Sequence, residues 1–278
     1  MTPREHATQV AEWRAGRDAR LRSPDGWLAL VGLHWLVPGE NHVGAHPANQ
    51  VVLHGHEIPP RVGSLWVADG VVRLVPHEGV EVLHAGKPVV EMVLDDDRGG
   101  HPTVLELGTL RFHLIRRGDR LGVRVRDGAA PALRRFTGME HFPIDRSWRL
   151  VGRLEPAGID ATLEITDITG AVSHDPTPGT VAFERDGASW RIAALPGDEA
   201  GSLFLVFADR TNGTDTYGGG RFLYTDPPTA DGRVVADFNL AYNPPCVFSE
   251  YATCPLPPGE NRLPMRIEAG ERRYTEPR

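Results

Sequence analysis

The chain is poor in several residue types at once. Of its 278 residues only two are cysteines, Cys246 and Cys254, and only one is a lysine, Lys87. Two cysteines are too few for the disulfide framework of a small secreted domain. They form no paired C-x-x-C, and no other Cys or His lies near them, which leaves a structural zinc site short of ligands. Positive charge is in deficit: 30 Lys and Arg face 37 Asp and Glu, for a formal net charge of −7. A general nucleic-acid-binding face needs the opposite balance. Long apolar runs are missing too. The most apolar early stretch, Trp27 to Val37, is too short to span a bilayer, and His34 interrupts it. The first twenty residues are charged throughout, with no apolar signal-peptide segment. These features predict a cytoplasmic protein with neither a membrane nor a nucleic-acid partner. G-x-S-x-G, H-E-x-x-H, a Walker lysine and a dinucleotide fingerprint are all absent, so no familiar catalytic motif or cofactor is indicated.

Glycine and proline are plentiful, at 31 and 24, and favour short strands joined by turns. The length suits one large domain or two small ones, and 40% hydrophobic with 24% charged residues suits a core-forming protein. Residues 4–21 read as a helix, with Val10, Trp13, Arg17 and Leu21 three or four apart. A turn at Ser23-Pro24-Asp25-Gly26 follows. The all-apolar WLALVGLHWL fits either a strand or a buried short helix, and is expected to plug the N-terminal arm onto the body. His34 within it reads as a core histidine rather than a base.

Four segments follow from the patterning: a helical arm and plug (1–40), a β-sandwich (41–127), a connector (128–147) and a second β domain (148–278). The predicted fold is mainly β, with two packed antiparallel units and a short N-terminal helical arm. Asp69-Gly70 and Gly118-Asp119 are hairpin turns. In the second domain strands are expected at WRLVGRLEP, ATLEITDI, TVAFERDG, SWRIAALPG, SLFLVFAD, RFLYTD, RVVADFN and LPMRIEAGERRY.

Within roughly residues 40–126, Val43-Gly44, Pro47 to Leu53, His84-Ala85-Gly86 and Leu107 to Phe112 follow one another in an order that resembles the forkhead-associated (FHA) sandwich. Its phosphothreonine-reading residues do not carry over. Ala45 stands where that family has arginine, and Arg61-Val62-Gly63-Ser64 does not match its serine-x-x-histidine.

The stretch from Thr216 to Arg262 holds both cysteines, three consecutive glycines and most of the unusual chemistry. Gly218-Gly219-Gly220-Arg221 can form an anion-holding turn with an arginine fork, or a plain turn with Arg221 paired to Asp209, Asp226 or Asp237. Asp237 and Asn239 fall on one face at a strand end, which suits a site mouth or loop bracing. The proline-stiffened loop from Leu240 to Asn261 carries Tyr242, Asn243 and the cysteines. Buried thiols, a metal site, a nucleophile or redox pair, and a disulfide all remain open for Cys246 and Cys254. Asp95-Asp96-Asp97 reads as solvated charge.

The same residues carry a resemblance that spans nearly the whole chain. Pro24 to Leu36, Phe207 to Gly213, Thr216 to Leu223, Asp237 to Cys246, Tyr251 to Pro258 and Asn261 are similar to a bacterial and archaeal family catalogued as DUF1684. That family brings no established activity. The residues themselves predict a small anionic ligand bound by Arg221, with Tyr217, Gly219, Gly220, Asn239, Tyr242 and Asn243 around it. Asp237 would be the acid or base if chemistry occurs. A non-catalytic interaction module built on the FHA-like sandwich is the alternative, and a thiol-dependent enzyme a third.

Overall fold

The structure is a computed structural model and describes residues 1–55 and 57–275. The chain divides into two compact units, Leu21–Phe136 and a second made of Met1–Arg20 with Thr137–Arg278.

The first unit is a two-sheet sandwich. Its strands are β1 (Leu30–Trp35), β2 (Gly39–Gly44), β3 (Val51–Val52), β4 (Gly63–Ala68), β5 (Val71–Pro76), β6 (Leu83–His84), β7 (Lys87–Pro88), β8 (Met92–Leu94), β9 (Leu105–Leu107), β10 (Leu110–Arg117) and β11 (Arg120–Asp127). One sheet runs β1-β11-β10-β9-β6-β7 and the other β3-β2-β4-β5-β8. Alternating Val, Leu and Phe from both sheets meet in one core around Leu53, Leu65, Leu74, Leu105 and Phe112. The β4–β5 loop is the expected hairpin: Ala68 pairs with Val71, and Asp69 and Gly70 hold φ of 50° and 75°.

The apolar stretch after Gly26 becomes a short 3-10 turn, Trp27–Ala29, and then β1, which pairs with β11. Val31 and Leu36 pack on the sandwich core. It is therefore a strand of this unit rather than a plug for the helical arm. His34 hydrogen-bonds the Val52 backbone, and burial holds its pKa below the ordinary value.

The second unit begins with helix α1 (Pro3–Leu21). His6, Val10 and Arg17 are buried and Trp13 half-buried, so the inward face follows the 3.6-residue period. Its strands are β12 (Arg149–Pro156), β13 (Thr162–Thr166), β14 (Val172–Pro176), β15 (Gly179–Arg185), β16 (Ala188–Pro196), β17 (Leu203–Phe207), β18 (Arg221–Thr225) and β19 (Arg233–Asp237). A six-stranded sheet runs β18-β17-β16-β15-β12-β19, and β13 and β14 form a separate hairpin. The end strands β18 and β19 also touch, so the large sheet nearly closes into a barrel. Inside it Phe238 is ringed by Trp148, Phe183 and Phe207.

One expected strand is absent. LPMRIEAGERRY is irregular apart from a single bridge between His141 and Glu271. Gly270 has a φ of 78°, and the Ile267 and Ala269 carbonyls bond to Arg221 instead of a ladder. No helix among the described residues is long and apolar enough to cross a membrane.

Candidate functional site

Arg221 opens β18, and its side chain is wholly buried. Nη2 donates to Asp209 Oδ2 at 2.6 Å and to the Ile267 carbonyl at 2.8 Å, while Nη1 donates to the Ala269 carbonyl. Asp209 is equally buried, and its other oxygen accepts the Thr211 and Ile267 amides. Nε has no hydrogen-bond partner among the described residues, but the side chain is 0% exposed and presents no donor to a solute. The expectation of an anion held by Arg221 therefore loses its support, and the pairing with Asp209 is the reading that fits.

Two of the three glycines before Arg221, Gly219 and Gly220, answer to crowding. A Cβ on Gly219 would lie 2.5 Å from the Tyr217 ring, and one on Gly220, at a φ of 97°, would lie 2.4 Å from Pro257 Cγ. Tyr217 itself donates to Cys246. Asn243 holds loop backbone: Nδ2 donates to Glu271 Oε2 and to the Arg272 carbonyl. Glu271 accepts Arg17 Nε at 3.2 Å, and Arg17 Nη2 reaches the Asn243 carbonyl at 3.0 Å. Burial pushes the Glu271 carboxyl up, opposed by Arg17. Tyr242 extends β18 by a bridge to Phe222 and lies under the Arg17 guanidinium, 4.6 Å from ring centroid to Cζ. The predicted set thus splits: Tyr217, Gly219, Gly220, Arg221, Asn239, Tyr242 and Asn243 line none of the cavities described below.

Asp237 and Asn239 do meet, but not through strand alternation. The strand ends at Asp237, which caps the 3-10 turn Phe238–Leu240 by accepting the Asn239 amide. Asn239 Nδ2 also donates to Asp237 Oδ1 at 2.8 Å. Asn239 clamps both backbone groups of Asp145 as well. Asp237 Oδ2 faces His6 Nε2 at 2.6 Å and Arg149 Nε at 4.0 Å.

Of the predicted residues, Asp237 lines one of the two cavities described here. This cavity, of about 640 Å³, lies against α1 and the β18–β19 side of the barrel. Trp13, Tyr224, Val235 and Leu240 form its apolar wall. Asp198, Glu199, Asp226 and Asp237 set four carboxylates against Arg20 and Arg149. Arg149 pairs with Asp237, while Asp198, Glu199 and Asp226 have no ion-pair partner among the described residues. Tyr224 donates to Asp198 and accepts from Tyr242; burial, then Asp198, raises its pKa. Its ring stacks between Phe204 and Tyr242 at 4.7 and 6.3 Å.

Sequence reasoning missed Trp13, Arg149, Asp198, Glu199, Tyr224 and Asp226. The available signals were weak: a polar Tyr224 on a strand whose other residues are buried, and the Asp198-Glu199 pair after β16.

The sandwich unit has a cavity of similar size, about 650 Å³, beside Asp95, Asp96, Arg98 and Arg116. There Asp96 is engaged by Arg116 and Arg98. Although burial raises its pKa, those bonds hold it at about 2. Asp97 pairs with Arg117, so two of the three carboxylates of this run are internal partners rather than solvated charge. No group of three or more His, Cys, Asp or Glu that could hold a metal ion occurs among the described residues.

The uncharacterized protein from gene locus rrnAC0354 of Haloarcula marismortui, known from a solution NMR structure, is 33% identical to this chain. The match covers 51% of this chain and 80% of that one, with a TM-score of 0.42. No curated protein matches. Residues 134–272 match the family described as "Protein of unknown function (DUF1684)". They span the barrel, the Arg221–Asp209 pair and most of the cavity wall, and on that match the chain belongs to the DUF1684 family.

Proposed function

We propose that the barrel unit binds a small polar molecule bearing a positive charge in the cavity beside Asp237. The observation that carries this reading is the set of three carboxylates without ion-pair partners, Asp198, Glu199 and Asp226, in a cavity that Trp13 and Tyr224 also line. Carboxylates without a cationic partner attract a cation, and the Trp13 ring on the same wall would add a cation–π term of about 0.5–2 kcal/mol. A neighbouring arginine on each side, Arg20 and Arg149, would reject a large polycation and could meet a carboxylate on the same ligand. Binding is better supported than catalysis. Asp237 already accepts two bonds from Asn239 and one contact from His6, and His6 is only 1% exposed. The pair braces the cavity floor and is poorly placed to exchange protons with a ligand. A cytoplasmic setting is part of the proposal, and fractionation of cells checks it.

The test is a thermal-shift comparison of choline, putrescine and guanidinium against acetate and phosphate. The expected result is a rise in Tm with at least one cation, lost in Asp198→Asn/Glu199→Gln. Stabilisation by the anions alone would overturn the reading.

A second reading, a protein-interaction role for the sandwich unit, has one observation in its favour. Trp66, Val71 and Val93 on its five-stranded sheet are about half exposed, at 47%, 50% and 48%. A second copy of the chain is the simplest partner to test. Concentration-dependent sedimentation abolished by Trp66→Ser supports this reading, and an unchanging monomer contradicts it.

A further inference from the structure

The two cysteines line none of the cavities described above. Cys246 sits in the 3-10 turn Pro245–Val247, entered through Pro244. Its amide donates to Cys254 Sγ at 3.1 Å. The Cys254 thiol and the Tyr217 hydroxyl both donate to Cys246 Sγ. Cys246 is half-buried and Cys254 is 3% exposed, so only the first is within reach of a solute. Prolines 244, 245 and 255 stiffen the chain on both sides, which keeps the sulfurs together at little entropic cost.

Buried structural thiols in apolar surroundings are held protonated and inert. Here the surroundings act the other way. Hydrogen bonds from Cys254 and then Tyr217 outweigh burial and pull the Cys246 thiol below its ordinary value. Burial, and then Cys246, pushes the Tyr217 phenol up, so it stays a donor. A reachable sulfur with two donors aimed at it and a second thiol in contact is the arrangement of a reactive cysteine with its resolving partner.

We propose that Cys246 is a peroxide-reactive thiol and that Cys254 resolves its oxidised form into a reversible disulfide. In the first step the Cys246 thiolate attacks one oxygen of hydrogen peroxide. The S–O bond forms, the O–O bond breaks, and the departing hydroxide takes up a proton to leave as water. Sulfur is oxidised to the sulfenic acid and the peroxide is reduced. In the second step the Cys254 sulfur attacks the sulfenyl sulfur. The S–S bond forms, the S–O bond breaks, and the hydroxyl leaves as water with the Cys254 proton. Two thiols and one peroxide give one disulfide and two waters, and a dithiol reductant reverses the change.

The experiment is intact-mass analysis of the whole chain after hydrogen peroxide. The wild type should lose the mass of two hydrogen atoms and regain it with dithiothreitol. Cys254→Ser should instead trap a dimedone adduct on Cys246, whereas Cys246→Ser should give neither product. Tyr217→Phe should slow alkylation of Cys246 several-fold at neutral pH and move its pH midpoint upward. A wild type that keeps both thiols under peroxide sufficient to oxidise free cysteine would overturn the proposal. So would a Cys254→Ser variant that forms no adduct. None of these readouts depends on the cavity, so the proposal and the cation-binding reading can fail separately.

Discussion

In the sandwich unit the fully buried side chains are mostly Val, Leu and Phe, whereas in the barrel unit the largest fully buried side chain is Arg221. Around it the barrel unit buries Asp209, Thr211, Thr216, Asn239, Asn243, Asn261 and Glu271. The difference follows the backbone. Most of the sandwich's buried core residues lie on paired strands, whose ladders serve their peptide groups. The barrel unit carries long irregular stretches, 208–220 and 238–272, with buried amides and carbonyls that no ladder serves. Side chains serve them instead. Asn261 exchanges two bonds with the Ala193 backbone and donates to the Val206 carbonyl. Asn243 and Glu271 tie the proline-rich loop to the C-terminal segment, and Arg17 ties α1 to both. The unusual residues of the family region are thus largely clamps, and the cavity is built from plainer residues beside them.

The largest expected effect breaks the clamp at its centre. Arg221→Ala should leave Asp209 buried without its partner and cost the barrel unit roughly 3–5 kcal/mol in urea unfolding. In the sandwich unit Leu65→Ala should cost roughly 2–5 kcal/mol, through a cavity rather than a stranded charge. Salt should barely change the second loss. Next comes Asn261→Ala, which strands three backbone groups and should cost about 1–3 kcal/mol by the same measurement.

Acid should act on both units by one route. His113 in the sandwich is depressed to about 4 by burial and then by Arg126 and Arg124. His141 in the barrel unit is depressed to about 4 by burial and then by Arg14. Each folded form therefore binds fewer protons than the unfolded chain between pH 4 and 6.5. The stability is fully present above pH 6.5 and falls as pH drops toward 4, by about 2–3 kcal/mol for His113. Unfolding midpoints against pH check this, with His113→Asn flattening only the sandwich transition. The smallest effect is expected at the exposed Arg191–Glu155 pair, where Arg191→Ala should change stability by no more than about 0.5–1 kcal/mol.

Much of the fold is local enough to be read from the sequence. Helix α1 shows in the spacing of Val10, Trp13 and Arg17, and the β4–β5 hairpin in Asp69-Gly70. The stretch after Gly26 is apolar on every side, so its periodicity cannot separate strand from helix, and only pairing with β11 decides. LPMRIEAGERRY has strand composition, but its carbonyls are claimed by Arg221, more than forty residues earlier in the chain. The site was less legible. Asp237 reaches the cavity, yet its wall gathers side chains from α1, β12, the β16–β17 turn and β18, and no motif links them. The glycine–arginine turn looked like a ligand loop because the same chemistry serves a buried clamp.

The most direct test of this division between clamp and cavity is calorimetric titration of the cation that gives the largest thermal shift, on three proteins: wild type, Asp198→Asn/Glu199→Gln, and Asn261→Ala held under folding conditions. The predicted result is binding to the wild type, loss of at least tenfold in affinity in the carboxylate variant with its Tm nearly unchanged, and retained affinity in the clamp variant despite its lower Tm. Unchanged affinity in the carboxylate variant would contradict the account.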